Sequence, residues 1–481
     1  MIGAQARTLP NKLLHPLTVL RPHASFTTAA ASPATKPSSI LYPKINVPPS
    51  QIVASHGHYL TTDDGREIFD ATGGAAVAAL GHNHPAIKNA IIQQFNDVAY
   101  CYAPFFTTPA AERIAAFLTE STHGEMTKTF ILSSGSEAVE AALKLARQYF
   151  VERGEPQRTR FIARKQSYHG NTLGALATGH HLTRRAVYEE ILAKNVSHVS
   201  PCYPYRGKYL DESDDSYVRR LADELEAEFQ AVGPGTVCAF VAETMAGATL
   251  GCVPAVPGYF PAMKAVCDRH GALLILDEVM SGMGRSGTLH AWEQEGVIPD
   301  LQTVAKGLGA GYAPIGALLI GKKVVDALTQ GSGGFVHSQT YAGHPMACAV
   351  AYSVQSLIQE NHLLENVRIQ GDYLGRLLKE RVGGHPNVGD VRGRGLFWGI
   401  EFVKDKETKT PFPAAEHIAQ TVHLTGLQPE HCISLLPSSG NADGIEGDLV
   451  LVAPAYNITA AEVEVIVDRV ARVIGSVFGE A

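Results

Sequence analysis

Apolar and polar positions along the chain change period several times, and each change marks an element. Leu273-Leu274-Ile275-Leu276 is an unbroken aliphatic run that stops at Asp277, the pattern of a strand buried on both faces. Residues 237–242, ending at Glu243, read the same way, and residues 129–132 and 160–163 are further strands. Residues 58–70 read as a hairpin turning at Asp64-Gly65. Helical spacing takes over after Ser133-Ser134-Gly135-Ser136, where Ala138, Ala141, Ala142 and Leu145 recur on one face and Ser134 with Glu137 fits a capping box. Pro85 stands near the first turn of another helix. The His82 and His84 just before it lack a third ligand in sequence and read as a turn, not a metal site. Residues 221–229 form an acidic amphipathic surface helix, and residues 346–359 a further helix. Residues 391–401 read as a turn and strand, and residues 448–454 as a strand. From Ala460 a closing helix carries Val463, Ile466, Val467, Val470 and Ile474 on one face.

Two charged residues stand where this pattern makes charge costly. Lys306 closes the apolar run Thr303-Val304-Ala305 and is followed by Gly307, Gly309 and Gly311. Most lysines sit on a solvated face. Apolar walls disfavour the ammonium, so its pKa should fall and the neutral amine become nucleophilic. Asp277 sits at the end of a buried strand, where open α/β sheets bind ligands. A nucleophilic lysine and a strand-end carboxylate are the two groups pyridoxal phosphate requires, one for its aldehyde and one for its pyridine nitrogen. The Ser/Gly turn at residues 133–136 opens a helix and offers free N–H groups to an anion.

At these residues the chain resembles a known family. Leu276-Asp277-Glu278-Val279, Pro299-Asp300, Ala305-Lys306-Gly307-Leu308-Gly309 and Tyr312-Ala313-Pro314-Ile315-Gly316-Ala317 are similar to the signature of class III aminotransferases, from about Ile52 to the C-terminus. The resemblance implies an α/β fold of PLP-dependent fold type I. Its large domain would hold a mainly parallel seven-stranded sheet flanked by helices, with a smaller α+β domain at the C-terminus. The corresponding division is a 1–48 leader, a 49–100 segment packing on the small domain, a 101–345 cofactor domain, and a 346–481 bridging helix and small domain.

The resemblance further implies pyridoxal 5'-phosphate as cofactor and a ping-pong exchange between an amine or amino-acid donor and a keto-acid acceptor. Lys306 and Asp277 would be catalytic. Gly135 and Ser136 would hold the phosphate, Tyr168 of Tyr168-His169-Gly170 would stack on the ring, and His169 would belong to the same pocket. Glu243 would lie at the cofactor's edge and Val279 on the ring face opposite Tyr168. Thr340 would reach the phosphate of a neighbouring subunit, which implies a homodimer with shared active sites. A racemase or aminomutase on the same scaffold, or a non-catalytic binding protein, are the competing readings. The presence of both Lys306 and Asp277 argues against the last.

Composition narrows partners and compartment. The 481 residues leave room for about two to three domains. A net charge of -7 without a basic block argues against nucleic-acid binding, and no apolar run reaches the roughly 18 residues of a membrane span. The 7 scattered cysteines form no CxxC pair and read as reduced thiols. Residues 1–48 are basic, hydroxyl-rich and free of acid, the first acidic residue being Asp63. That is the composition of a mitochondrial transit segment, the alternative being a proline-rich disordered tail on a cytoplasmic protein. A fluorescent fusion of this segment tests import.

Three places where relatives carry a carboxylate-gripping arginine are here Leu451, Glu446 and Asn171, and Arg394 reads as part of a structural turn. Ala75, Ala76 and Val77 are small where some relatives are bulky. A dicarboxylate such as 2-oxoglutarate therefore lacks its clamp, and a hydrophobic or ω-amine donor with a small keto acid is expected.

Overall fold

The computed structural model describes residues 38–45 and 47–480. Most of the 1–48 leader thus lies outside the described residues. All elements below belong to the unit Gln51–Ala481.

Three short strands come first: β1 (Ile52–His56), β2 (Tyr59–Thr62) and β3 (Glu67–Asp70). They form an antiparallel meander, with Asp64-Gly65 turning β2 into β3. β4 (Met126–Leu132), β5 (Arg160–Arg164), β6 (Val196–Val199) and β7 (Val237–Glu243) follow, then a small ribbon of β8 (Met245–Ala246) and β9 (Val253–Pro254). β10 (Leu273–Asp277), β11 (Leu301–Val304) and β12 (Gly316–Gly321) complete a seven-stranded sheet of order β4-β12-β11-β10-β7-β5-β6. Only β12 runs against its neighbours.

The aliphatic run of β10 is explained by two packed faces. Leu273 and Ile275 join the core beneath helix Gly135–Glu152, whereas Leu274 and Leu276 join the core beneath helices Asp214–Val232 and Tyr259–Arg269. A strand covered on both sides needs apolar residues at every position.

The C-terminal region adds β13 (Val388–Gly393), β14 (Trp398–Phe402), β15 (Ile433–Ser434), β16 (Leu436–Ser439) and β17 (Asp448–Val452). A four-stranded antiparallel sheet of order β13-β14-β17-β16 is backed by helix Ala460–Phe478, whose Val463, Ile466, Val467, Val470 and Ile474 are buried as the spacing requires. β15 instead pairs with β3, in parallel, and Ala453 N donates to Ala71 O at 2.7 Å. The first strands are thereby tied to the last third of the chain. Helix Pro345–Glu360 leads from the large sheet to this region, with His344 as its N-cap.

One local expectation is refined. Ser134 caps helix Gly135–Glu152 by accepting from Glu137 N at 3.2 Å, but the Glu137 carboxylate turns back one residue further, to Ser133 N at 3.0 Å. His82 Nε2 lies 3.0 Å from Asp70 Oδ2. No group of three potential metal ligands occurs among the described residues, and no described helix is long and apolar enough to cross a membrane.

Candidate active site

A cavity of about 270 Å³ opens at the C-terminal edge of the large sheet, lined by the β4 turn, the residues after β5, the ends of β7 and β10, and Lys306. The register of the parallel strands builds its floor. Asp277 on β10 is level with Glu243 on β7 and with Thr303 on β11, so three residues far apart in sequence form one row.

Asp277 is buried and heavily held. Its Oδ1 accepts from Thr303 Oγ1 at 3.1 Å and from Val279 N at 3.0 Å. Its Oδ2 lies 2.7 Å from His169 Nδ1. A carboxylate can accept more bonds than these three, so Oδ2 retains capacity toward the cavity. His169 is wholly buried, and its Nε2 has no partner.

Glu243 is also buried, and burial raises its carboxyl above the ordinary range. Oε1 accepts from Tyr168 N at 3.2 Å, Arg164 Nη2 holds the Glu243 carbonyl at 2.6 Å, and Oε2 is buried without a partner.

Lys306 follows β11 in a single 3₁₀ turn, with φ +41. A non-glycine residue adopts that conformation at a cost of about 1–2 kcal/mol, and the surrounding packing must impose it. Burial lowers the Lys306 pKa to about 8, against the pull of Asp277 and Glu243 in the other direction. The expected fall in its pKa is met by that cause.

The start of helix Gly135–Glu152 faces the same cavity. A Cβ on Gly135 would fall 2.6 Å from Val279 Cγ1, so only glycine lets this turn close onto the segment after β10. Ser136 Oγ accepts from Asn171 N at 3.1 Å, which leaves its own O–H free to donate. Tyr168 lines one wall, and Val279 with Met280 another.

Of the residues read from sequence, Gly135, Ser136, Tyr168, His169, Glu243, Asp277, Val279 and Lys306 all line this cavity. Thr340 does not. It is exposed, and its carbonyl accepts from Tyr100 Oη at 2.9 Å. Of the three small residues, Val77 alone lines the cavity; Ala75 is exposed, and Ala76 packs with Met245, Phe397 and Leu451. Arg394 is paired with Glu295 at 2.7 Å, as a structural turn would have it. Thr303 and Arg164 were not legible as site residues. Thr303 is a β-branched strand residue whose hydroxyl matters only because β10 lies beside it.

The cavity fits pyridoxal phosphate on its own residues. An anion-seeking helix start, a lysine whose pKa is lowered by burial, a fixed carboxylate and the orphaned Glu243 Oε2 surround one space. Fold and site together define a PLP-dependent transferase of fold type I. A family model described as aminotransferase class-III matches residues 42–474, and the chain belongs to the class III aminotransferases. It is 52% identical over 437 residues to an aminotransferase of Gibberella zeae, covering 90% of this chain and 85% of that one. An uncharacterized aminotransferase of Schizosaccharomyces pombe is 45% identical over 450 residues, 94% and 98% of the two chains. An amine transaminase from an uncultivated Pseudomonas species, solved in its PLP-bound form, superposes with a TM-score of 0.85 at 30% identity, over 93% of this chain and 99% of the other. The protein is an enzyme, a transaminase of this family, and the family implies pyridoxal phosphate.

Proposed function

We propose that this transaminase binds pyridoxal phosphate through Lys306 and passes an amino group from an amine or amino-acid donor to a small 2-oxo acid. The observation that carries the reading is Lys306 itself, lowered to about 8 by burial and set in one cavity with Asp277. When bound, the cofactor supplies an aldehyde that exchanges amines and a ring that accepts electrons from the substrate's Cα.

The chain's residues divide the remaining work. Backbone N–H groups of Gly135 and Ser136, with the Ser136 hydroxyl, would hold the phosphate at the helix start. Asp277 would hold a proton at the ring nitrogen, its Oδ1 immobilised by Thr303 and Val279 N and its Oδ2 by His169. Tyr168 and Val279 would flank the ring. Lys306 would hold the cofactor through its aldehyde and would be the base for the proton at the donor's Cα.

The amine side is supported by the apolar Val77, Met245, Met280 and Ile315 in the lining, and by the amine transaminase among the structural relatives. The acceptor side is supported by Leu451, buried in a core, and by Glu446, turned onto Ala414 N at 2.5 Å. Neither place offers a cation.

We also propose a homodimer. Phe105 (75% exposed) and Phe106 (65%) stand out among exposed aromatics, and Tyr341, beside Thr340, packs edge-on against Tyr100. Bare aromatics on this scale mark an interface. Thr340, exposed next to Tyr341, would enter the neighbour's site.

Reduction of the holoenzyme with borohydride and peptide mapping should place the pyridoxyl group on Lys306. Lys306→Ala should stay folded and lose turnover. Label on another lysine would overturn the assignment.

A further inference from the structure

Any amino acid or 2-oxo acid brings a carboxylate into a cavity whose lining holds two acids, Glu243 and Asp277, one amine, Lys306, and the His169 ring, whose Nδ1 is engaged by Asp277. With Lys306 engaged on the cofactor, the lining has no cation left for that carboxylate. Unpaired, it would be driven back to water.

Most arginines around the site are committed elsewhere. Arg164 holds the Glu243 carbonyl, and Arg394 pairs with Glu295 at 2.7 Å. Arg285 donates through Nη1 to Leu396 O at 2.9 Å and Pro454 O at 2.6 Å; its Nε and Nη2 have no partner, but the guanidinium is fully buried over the Tyr456 ring and does not line the cavity. Arg185 is buried, donating to Ala177 O at 3.1 Å and pairing with Glu189 at 3.2 Å.

Arg184, one residue before it, is different. Its side chain is exposed and enters no hydrogen bond or ion pair with the described residues. The guanidinium lies over the Tyr168 ring, its Cζ 4.8 Å from the centroid. Its charge reaches Lys306: burial does most to lower that amine, Arg285 adds to the effect, and Arg184 adds after it.

The base of this side chain is fixed while its tip is free. The four-residue turn Leu182–Arg185 is anchored through Arg185 to the preceding segment. On its other side Leu182 meets the loop at residues 440–447, where a Cβ on Gly444 would fall 2.7 Å from Leu182 Cδ1. A cation resting on an exposed aromatic face gains only about 0.5–1 kcal/mol, so it is easily drawn away. Five unused N–H donors in a planar fork match a carboxylate.

We propose that Arg184 is the specificity-determining cation of this enzyme, leaving the face of Tyr168 to bind the carboxylate of the 2-oxo acid or amino-acid substrate. The proposal rests on the transaminase reading of the cavity. One such fork serves one carboxylate, so monocarboxylates such as pyruvate or glyoxylate are favoured over 2-oxoglutarate.

The test uses PLP-loaded wild type, Arg184→Gln and Arg184→Lys, with 1-phenylethylamine as a donor without a carboxylate and pyruvate as acceptor. Each half-reaction is followed separately by the cofactor's absorbance. Loss of a charge-assisted pair should raise the KM for pyruvate at least about tenfold in Arg184→Gln. The KM for 1-phenylethylamine should stay within about twofold. Arg184→Lys should recover part of the loss, and inhibition by propionate should weaken in parallel with pyruvate. An unchanged pyruvate KM overturns the proposal, as does equal damage to both half-reactions, which would mean a structural role. Should Arg184→Gln not fold, failure of propionate to protect wild-type Arg184 from phenylglyoxal overturns it instead. Wild type that consumes no amine with any 2-oxo acid would overturn the substrate reading first, and this proposal with it.

Discussion

At the scale of single residues, the site is a contest between burial and partners. Burial weakens the Lys306 ammonium, so apoenzyme should recombine with pyridoxal phosphate in proportion to neutral amine. The sign is fixed by the shift: below about 8 the amine must first give up a proton. The recombination rate should therefore rise about tenfold per pH unit up to that point and then level. An ordinary lysine, with its pKa near 10.5, would still be climbing at about pH 9. Absorbance after mixing apoenzyme with cofactor across pH reads this directly. Asp277, in contrast, is held by three partners, and its charge is its contribution. Asp277→Asn keeps the shape and stops enforcing protonation of the ring nitrogen, so kcat should drop at least about a hundredfold, close to 3 kcal/mol. Near-normal turnover in that variant would remove Asp277 from the mechanism.

At the scale of elements, the segment after β10 is positioned by the neighbour of Asp277 in sequence. Glu278 is fully buried, and burial pushes its carboxyl up to about 7. Four donors nevertheless converge on it: Ala291 N and Trp292 N at 2.7 Å, Gln302 Nε2 at 2.8 Å and Thr244 Oγ1 at 2.9 Å. The site is built for the ionised form, which pins β10, the turn after it and β11 together. Glu278→Gln would set an amide N–H₂ against two of those donors. A loss of about 2–3 kcal/mol is expected, read as a lower urea midpoint at unchanged slope. The sequence made these strands legible because both faces of each are buried. It could not show that Glu278 is their clasp, since its partners come from three separate segments.

At the scale of the molecule, a single subunit exposes Phe105 and Phe106, and exposes Tyr341 next to Thr340. If this surface joins two copies, Phe105→Ser with Phe106→Ser should shift the protein from dimer to monomer in light scattering. Turnover should fall with it, because the neighbour's Thr340 would be withdrawn. A monomeric wild type would refute the shared site.

The sequence by itself determined the family, the buried strands, and eight residues that line one cavity. These follow from local facts: unbroken aliphatic runs, a glycine where a helix must start against Val279, a lysine among apolar neighbours. Tertiary structure alone decided which residues share a row and which cations are free. The register of parallel strands sets Thr303 and Glu243 beside Asp277, and register is a property of pairing, not of any one strand. Arg184 and Arg185 are adjacent and identical in kind. One is spent on backbone carbonyls and the other lies open over Tyr168, because the turn that carries them points their side chains apart.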